Sequence, residues 1–351
     1  MDDVKSGRFT VLSPKLVVPP LEDIEQRFIA NWVRMKQNVR PGYRRAQLSY
    51  QDERKAKGLA ANAHARRLRE AGLGSLPKEA HAGVMSLARD GAALSGPATD
   101  DEVYRLVAEL HLESGWMHEV STWLMQQLLA HIHRGGRGLA LPPVILTGPP
   151  GIGKSHYARR LADLAGAPSR IIDVGGGSAG FRIVGTERGW ATAQPGIPVE
   201  TILASRTANC VMIVDEVDKA GTIYSGGGRP SSLTTSLLPL LEPGSSRRFE
   251  CPYHRLTFDM SRVIWIMTSN NADLIPAPLR DRARVFHLAG LTPDEAVTVF
   301  ERMTQCSDDR SGQHDCRAFI KRLAARPEGV SLRQIRQLAD AVTAPPRPLT
   351  H

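Results

Sequence analysis

Hydrophobic side chains change their spacing along this chain. Near the start, Leu21, Ile24, Phe28, Trp32 and Met35 recur at three- and four-residue steps, which puts them on one face of a helix that a partner surface must cover. A second helical stretch, strongly basic, runs from about Arg44 to Ala71, and Gly72, Gly74, Pro77, Gly91, Gly96 and Pro97 then break the chain into short pieces. Before these, Pro14, Pro19 and Pro20 mark an extended leader. Residues 1–100 are therefore expected to form a small, mainly helical, partly extended N-terminal region.

From about Asp100 the pattern alternates. Glu102 to Leu112 and Trp116 to His133 have helical spacing, and Leu141 to Leu146 is a short apolar run with strand character. Further runs at Arg170 to Val174, Cys210 to Val214, Val263 to Met267 and Val285 to Leu288 are separated by helical segments. Short apolar strands in that arrangement predict an α/β fold, a parallel sheet covered by helices on both faces, over residues 101–290. Thr292, Pro293 and Glu295 look like a helix start, and residues 291–351 read as helices only.

Composition and charge narrow the classes. The chain has 351 residues, 42% of them hydrophobic, and no apolar run near the roughly 20 residues needed to cross a bilayer. Its first residues lack the layout of a secretory signal, so a cytoplasmic protein with no membrane partner is the expectation. Cys210, Cys251, Cys306 and Cys316 are too few and scattered for a disulfide framework. The last two, with His314 between them, fit no common zinc spacing. The net charge of +9 is concentrated between Arg27 and Arg69, where twelve basic residues face only Asp52 and Glu53. Such a segment suits nucleic acid or an acidic partner, or is simply a solvated helical arm.

Chemistry is concentrated in four segments. Gly148-Pro149-Pro150-Gly151-Ile152-Gly153-Lys154-Ser155, followed by His156, satisfies G-x-x-x-x-G-K-[ST] directly after the strand Val144 to Leu146. Glycines let backbone N–H groups at a helix N-terminus surround phosphate oxygens, Lys154 reaches the outer phosphates, and Ser155 ligates Mg²⁺. Val211 to Val214 then runs into Asp215 and Glu216. Asp215 suits holding the metal beside Ser155, and Glu216 suits a general base for the attacking water, whereas an isolated Asp-Glu pair would merely cap a helix. A third strand delivers Thr268, Ser269 and Asn270, of which Asn270 is best placed to position water. Two arginines, Arg280 and Arg282, follow the proline-stiffened turn Ile275 to Pro278; either could stabilise a transferred phosphoryl group or pair with Asp281. Gly175, Gly177 and Gly180 also satisfy G-x-G-x-x-G, but without a dinucleotide-binding unit around them.

This order of motifs resembles an AAA+ ATPase, and Leu237 to Pro243, Leu256 to Ser261 and Ile275 to Arg282 resemble segments of the Lon-type ATPase module in Lon's order, over about residues 115–340. The resemblance implies a P-loop NTPase sheet with a small helical lid, ATP and Mg²⁺ as ligands, and a homo-oligomeric ring, expected to be hexameric, that remodels a protein substrate. It prefers Arg282 as the trans-acting finger. It makes Arg333, in Ser331-Leu332-Arg333, the lid contact to phosphate. It also matches Trp190 to the aromatic of a pore loop, with Tyr224 in a second such loop. Fewer than twenty residues follow Arg333, so Lon's Ser-Lys peptidase is not expected here. An ATPase associated with nucleic acid through Arg27 to Arg69 is the alternative.

Overall fold

The computed structural model describes residues 8–74, 76–174, 179–189, 193–219, 222–224, 230–305 and 310–343. Five parallel strands make the central sheet: β1 (Val144–Thr147), β2 (Ser169–Asp173), β3 (Val211–Asp215), β4 (Ile264–Ser269) and β5 (Arg284–His287), in the order 5-1-4-3-2. The long crossovers needed between parallel neighbours carry the helices.

Alternation within the strands divides the interior into two cores. Ile145, Met212, Val214, Trp265 and Met267 face one side, with Val144, Leu146, Val211, Ile213, Ile264 and Ile266 on the other. The three inner strands β1, β3 and β4 are buried on both faces, which is why they read as apolar runs, whereas the edge strands β2 and β5 are partly exposed.

The first core takes in part of the N-terminal region. Val11, Leu12, Leu16 and Val18, together with Leu73, Leu76, Val84 and Leu87, pack with the sheet residues. Arg8–Phe9 pairs antiparallel with Ala92–Ala93, and Ala93 is bridged to Thr207 beside β3. Asn209 is fully buried and fastens this junction: its side chain accepts from Ser95 N (2.9 Å) and donates to Ser95 O (2.7 Å) and Leu139 O (2.9 Å). Where the sequence suggested only short pieces, α3 (Lys78–Asp90) is a helix of 13 residues ended by Gly91.

The expected amphipathic helix is α1 (Leu21–Val39), and α2 (Tyr50–Glu70) covers it through the buried Ala56 and Ala60. Alanine permits close approach, but α2 reaches only part of the stripe, so Ile24 and Ile29 are buried and Met35 is 66% exposed. The basic helix begins at Tyr50 rather than near Arg44 because Ser49 caps it, its Oγ accepting from Asp52 N (3.1 Å).

The opposite core holds α4 (Asp100–Glu113), α5 (His118–His133) and α6 (Lys154–Leu164), followed along the chain by α7 (Ala179–Val184), α8 (Ile197–Ser205) and α9 (Leu233–Leu241) on the other face. The last three helices, α10 (Pro293–Met303), α11 (Arg310–Ala324) and α12 (Leu332–Thr343), pack on one another and join the core of α4 to α6. Among the described residues no helix is long and apolar enough to cross a membrane.

A hairpin, Phe249–Cys251 with Leu256–Phe258, buries an ionisable pair in its turn. His254 is 3% exposed, with Nδ1 3.3 Å from Cys251 Sγ. Burial first, and the nearby Arg188 charge second, push its pKa down to about 4. The unfolded chain therefore takes up a proton near pH 6.5 that the folded chain refuses until about pH 4, so stability falls as pH drops through that window. The expected loss is about 3 kcal/mol between pH 7 and pH 4; urea unfolding of His254→Asn should lose less over that range, and an equal loss would remove this group as the cause.

Candidate active site

Strand register brings the polar residues together. Pairing Val214 with Met267 sets Asp215 beside Thr268, one residue on, and pairing Thr147 with Ser269 brings the glycine loop up next to the end of β4. The loop then enters α6 at Lys154. Gly151 has φ +79°, and a Cβ there would lie 2.5 Å from Ser331 Cβ; at Gly153, with φ +94°, it would lie 2.8 Å from Leu332 Cδ1. Only glycine permits both this backbone and the close approach of the segment entering α12.

Lys154 is 6% exposed. Its Nζ donates to Gly148 O (2.7 Å), Pro149 O (2.9 Å) and Asn270 Oδ1 (3.0 Å). Burial lowers its pKa, opposed by the charges of Asp215, Asp218 and Glu216. Ser155 Oγ donates to Asp215 Oδ1 at 2.7 Å, and Thr268 Oγ1 donates to the same oxygen. Thr268 Oγ1 also accepts from Glu216 N (3.1 Å). The two acidic residues are thus oriented by a threonine that the sequence left without a role.

Glu216 has φ +61°, an uncommon conformation for a residue with a side chain. Its carboxylate accepts from Asn270 Nδ2 (3.3 Å) and pairs with Lys219 (2.8 Å). Asp218 Oδ2 accepts from the backbone N–H groups of Asn270 and Asn271, both at 3.2 Å, which ties the end of β3 to the end of β4. Asn270 therefore lies between Lys154 and Glu216, touching both.

These groups open into a cleft of about 670 Å³. Pro150, Gly151, Gly153, Lys154, Ser155 and His156 line one side, Asp215, Glu216, Thr268 and Asn270 the floor, and Arg302, Arg333 and Arg336 the side formed by α10 and α12. Arg302 and Arg336 had no sequence signal beyond their helices. Trp116 lines the far end. The sequence put it inside a helix, but Gly115–Met117 forms a separate 3₁₀ turn, which lets its indole N–H donate to Ile152 O (2.9 Å). Ile152 itself is buried.

Hard oxygen donors fit Mg²⁺. Ser155 Oγ and Asp215 Oδ1 face the cleft as a hydroxyl and carboxylate pair, and that ion takes few protein ligands, filling its octahedron with water and phosphate. Among the described residues no group of three or more His, Cys, Asp and Glu forms a metal cluster.

Arg282 stands outside this convergence: it does not line the cleft, and its guanidinium pairs with Glu242 at 2.6 and 2.7 Å. Trp190 lies outside the described residues. Tyr224 belongs to a short strand, Thr222–Tyr224, paired antiparallel with Pro230–Ser232. Gly175, Gly177 and Cys306 also fall outside the described residues, while Gly180 is helical.

Residues 144–291 match the model of the ATPase family associated with various cellular activities (AAA). The chain carries an AAA ATPase domain. That domain is similar to Lon proteases: it is 36% identical over 152 residues to Lon protease 4 of Sorangium cellulosum, covering 43% of this chain and 18% of the relative. To the peroxisomal Lon protease homolog 2 of Caenorhabditis elegans it is 33% identical over 187 residues, 52% of this chain and 23% of the relative. The chain thus spans less than a quarter of the length of these relatives. In fold, 90% of it superposes on 58% of a chain of closed-state Hsp104, solved with ATPγS and FITC-casein, at a TM-score of 0.52 and 14% identity.

Gly151→Ala tests the AAA loop directly. The substitution meets both a left-handed backbone and Ser331 Cβ, so ATP affinity should fall at least tenfold, about 1.4 kcal/mol, by titration calorimetry. Binding at the parental affinity would show that the loop does not need this contact.

Proposed function

We propose that this chain hydrolyses ATP as a subunit of a ring, expected to be hexameric, and uses that cycle to remodel a protein partner. The observation that carries the reading is the convergence of Lys154, Ser155, Asp215, Glu216 and Asn270 on one cleft while Arg282 stays outside it.

The residues divide the work. Backbone N–H groups of Gly151 to Ser155 and the Lys154 ammonium hold the phosphates; Arg333, on the α12 side, adds a cation from the lid. Ser155 and Asp215 would hold Mg²⁺, which when bound neutralises phosphate charge. Glu216 takes the proton of the attacking water, with Asn270 fixing its carboxylate through Nδ2. Arg282 of a neighbouring protomer supplies the remaining positive charge at the γ phosphate. Head-to-tail subunits in a closed ring give every site one such neighbour.

The Lon relatives, and the fold shared with an Hsp104 captured on casein, support an extended polypeptide as the substrate. Trp190 is then the residue that grips it in the pore, with Tyr224, at the end of the short strand Thr222–Tyr224, as a second contact.

Mixing protomers tests the shared site. Lys154→Ala and Arg282→Ala should each be inactive alone, the arginine loss costing about 10³ in rate. Their mixture should regain turnover, because an intact nucleotide site then meets an intact arginine. A mixture as inactive as its components, or a monomer as active as the assembly, overturns the reading. Glu216→Gln should lower kcat by about 10² to 10⁴ while retaining ATP binding; unchanged turnover would remove Glu216 from its role.

A further inference from the structure

The twelve basic residues between Arg27 and Arg69 are all exposed. Among the described residues only Lys36, Lys57 and Arg66 have ion-pair partners, Asp52, Glu53 and Glu70 respectively. These are solvent-exposed pairs of the kind that contribute little, so the field of the segment is nearly uncompensated.

Within it, α2 has a distinct face. Ala56 and Ala60 are fully buried and mark the side packed on α1. At 100° per residue the opposite side carries, besides Gln51 and Ala65, the residues Arg54, Lys55, Gly58, Asn62, Arg66 and Arg69 within an arc of about 120°. All six are exposed, and no acidic residue of the helix falls in that arc. The cations form two groups, Arg54 with Lys55 and Arg66 with Arg69, about 20 Å apart along the axis. Between them Gly58 faces open space and Asn62 presents a short amide.

We propose that α2 docks on double-stranded nucleic acid, its two cation groups reaching phosphates on either side of a groove and Asn62 facing the base edges. A major groove about 12 Å wide, flanked by its phosphate backbones, suits two groups on long arms at that separation. Arginine dominates the segment, and its planar fork matches phosphate oxygens. An acidic protein is the poorer fit, because the arc itself has no aromatic or large aliphatic anchor of the kind on which protein interfaces depend, the exposed Leu59 and Tyr50 lying outside its two edges. None of these residues lines the ATP cleft, so the surface is independent of the ring reading.

The test uses the full chain and a fluorescein-labelled DNA duplex of about 30 base pairs, long enough for several turns of groove, with anisotropy followed across a salt series. The parent should bind with a steep salt dependence. The quadruple variant Arg54→Gln, Lys55→Gln, Arg66→Gln and Arg69→Gln should bind at least tenfold more weakly, with a slope of log affinity on log salt reduced by about three to four. A second variant, Gly58→Glu with Asn62→Glu, keeps all four cations and the helix; it should also lose binding. Both should hydrolyse ATP at the parental rate. The proposal is overturned if the quadruple variant keeps the parental slope, if a single strand of equal length binds more tightly than the duplex, or if polyglutamate of equal charge displaces the duplex as well as unlabelled DNA does.

Discussion

A parallel strand buried on both faces can present polar side chains only where it ends, and the candidate site is built from that constraint. Because β3 and β4 pair Val214 with Met267, Asp215 and Thr268 emerge side by side. A slip of one residue would turn Thr268 to the other face of the sheet and part it from Asp215. The Thr268 hydroxyl could then no longer donate to Asp215 while accepting from Glu216 N, and the backbone of Glu216 would lose the partner that holds it at φ +61°. Sheet register therefore sets the chemistry, and the apolar cores that fix register on both faces set it indirectly.

The glycine loop is held by a similar economy. Gly151 O accepts from Leu332 N (2.8 Å) and Ile152 O from the Trp116 indole. In a planar trans peptide the following N–H points away from the carbonyl, so turning these two oxygens toward α12 and Trp116 turns the amides of Ile152 and Gly153 the opposite way. The segment that opens α12 thus touches the loop itself as well as the cleft. Any movement of the last three helices must break or carry the Leu332 bond, which gives the lid a direct mechanical link to the phosphate-binding backbone.

How legible these features were in the sequence depended on how local their signals are. The inner strands β1, β3 and β4 were readable because burial on both faces leaves apolar runs, the edge strands β2 and β5 by the shorter apolar pairs Ile171-Ile172 and Val285-Phe286, and Gly148 to Ser155 because its glycines, lysine and serine are contiguous. Asp215 and Glu216 were readable as the end of such a run. Thr268 was not: its role comes from the register of β4 against β3, a relation between residues more than fifty positions apart. Trp116 was absorbed into the helical spacing that follows it, although it sits in the 3₁₀ turn Gly115–Met117 that precedes α5. The helix α3 was hidden by glycines that border it, with Gly91 ending it at φ +66° rather than breaking it. Arg302 and Arg336 looked like ordinary surface cations because only the packing of α10 and α12 turns them toward the cleft.

The pair formed by Arg282 and Glu242 is better read as orientation than as stability. Its side chains are 35% and 47% exposed, and an ion pair that open to water contributes only about 0 to 1 kcal/mol. Yet Arg282 is held at three points: Nε and Nη2 bond Glu242, and Nη1 donates to Pro278 O (3.2 Å). A free arginine side chain would sample many rotamers, and fixing it in advance would lower the entropy lost in the contact with a neighbour's phosphoryl group that we propose for it. Glu242 follows α9 directly, Leu233, Leu237, Leu240 and Leu241 of that helix are buried in the first core, and the turn carrying Arg282 packs against it. An arginine destined for a neighbour's site would in this way be anchored to the rigid body of its own subunit, so that its approach to the nucleotide follows from how whole subunits meet.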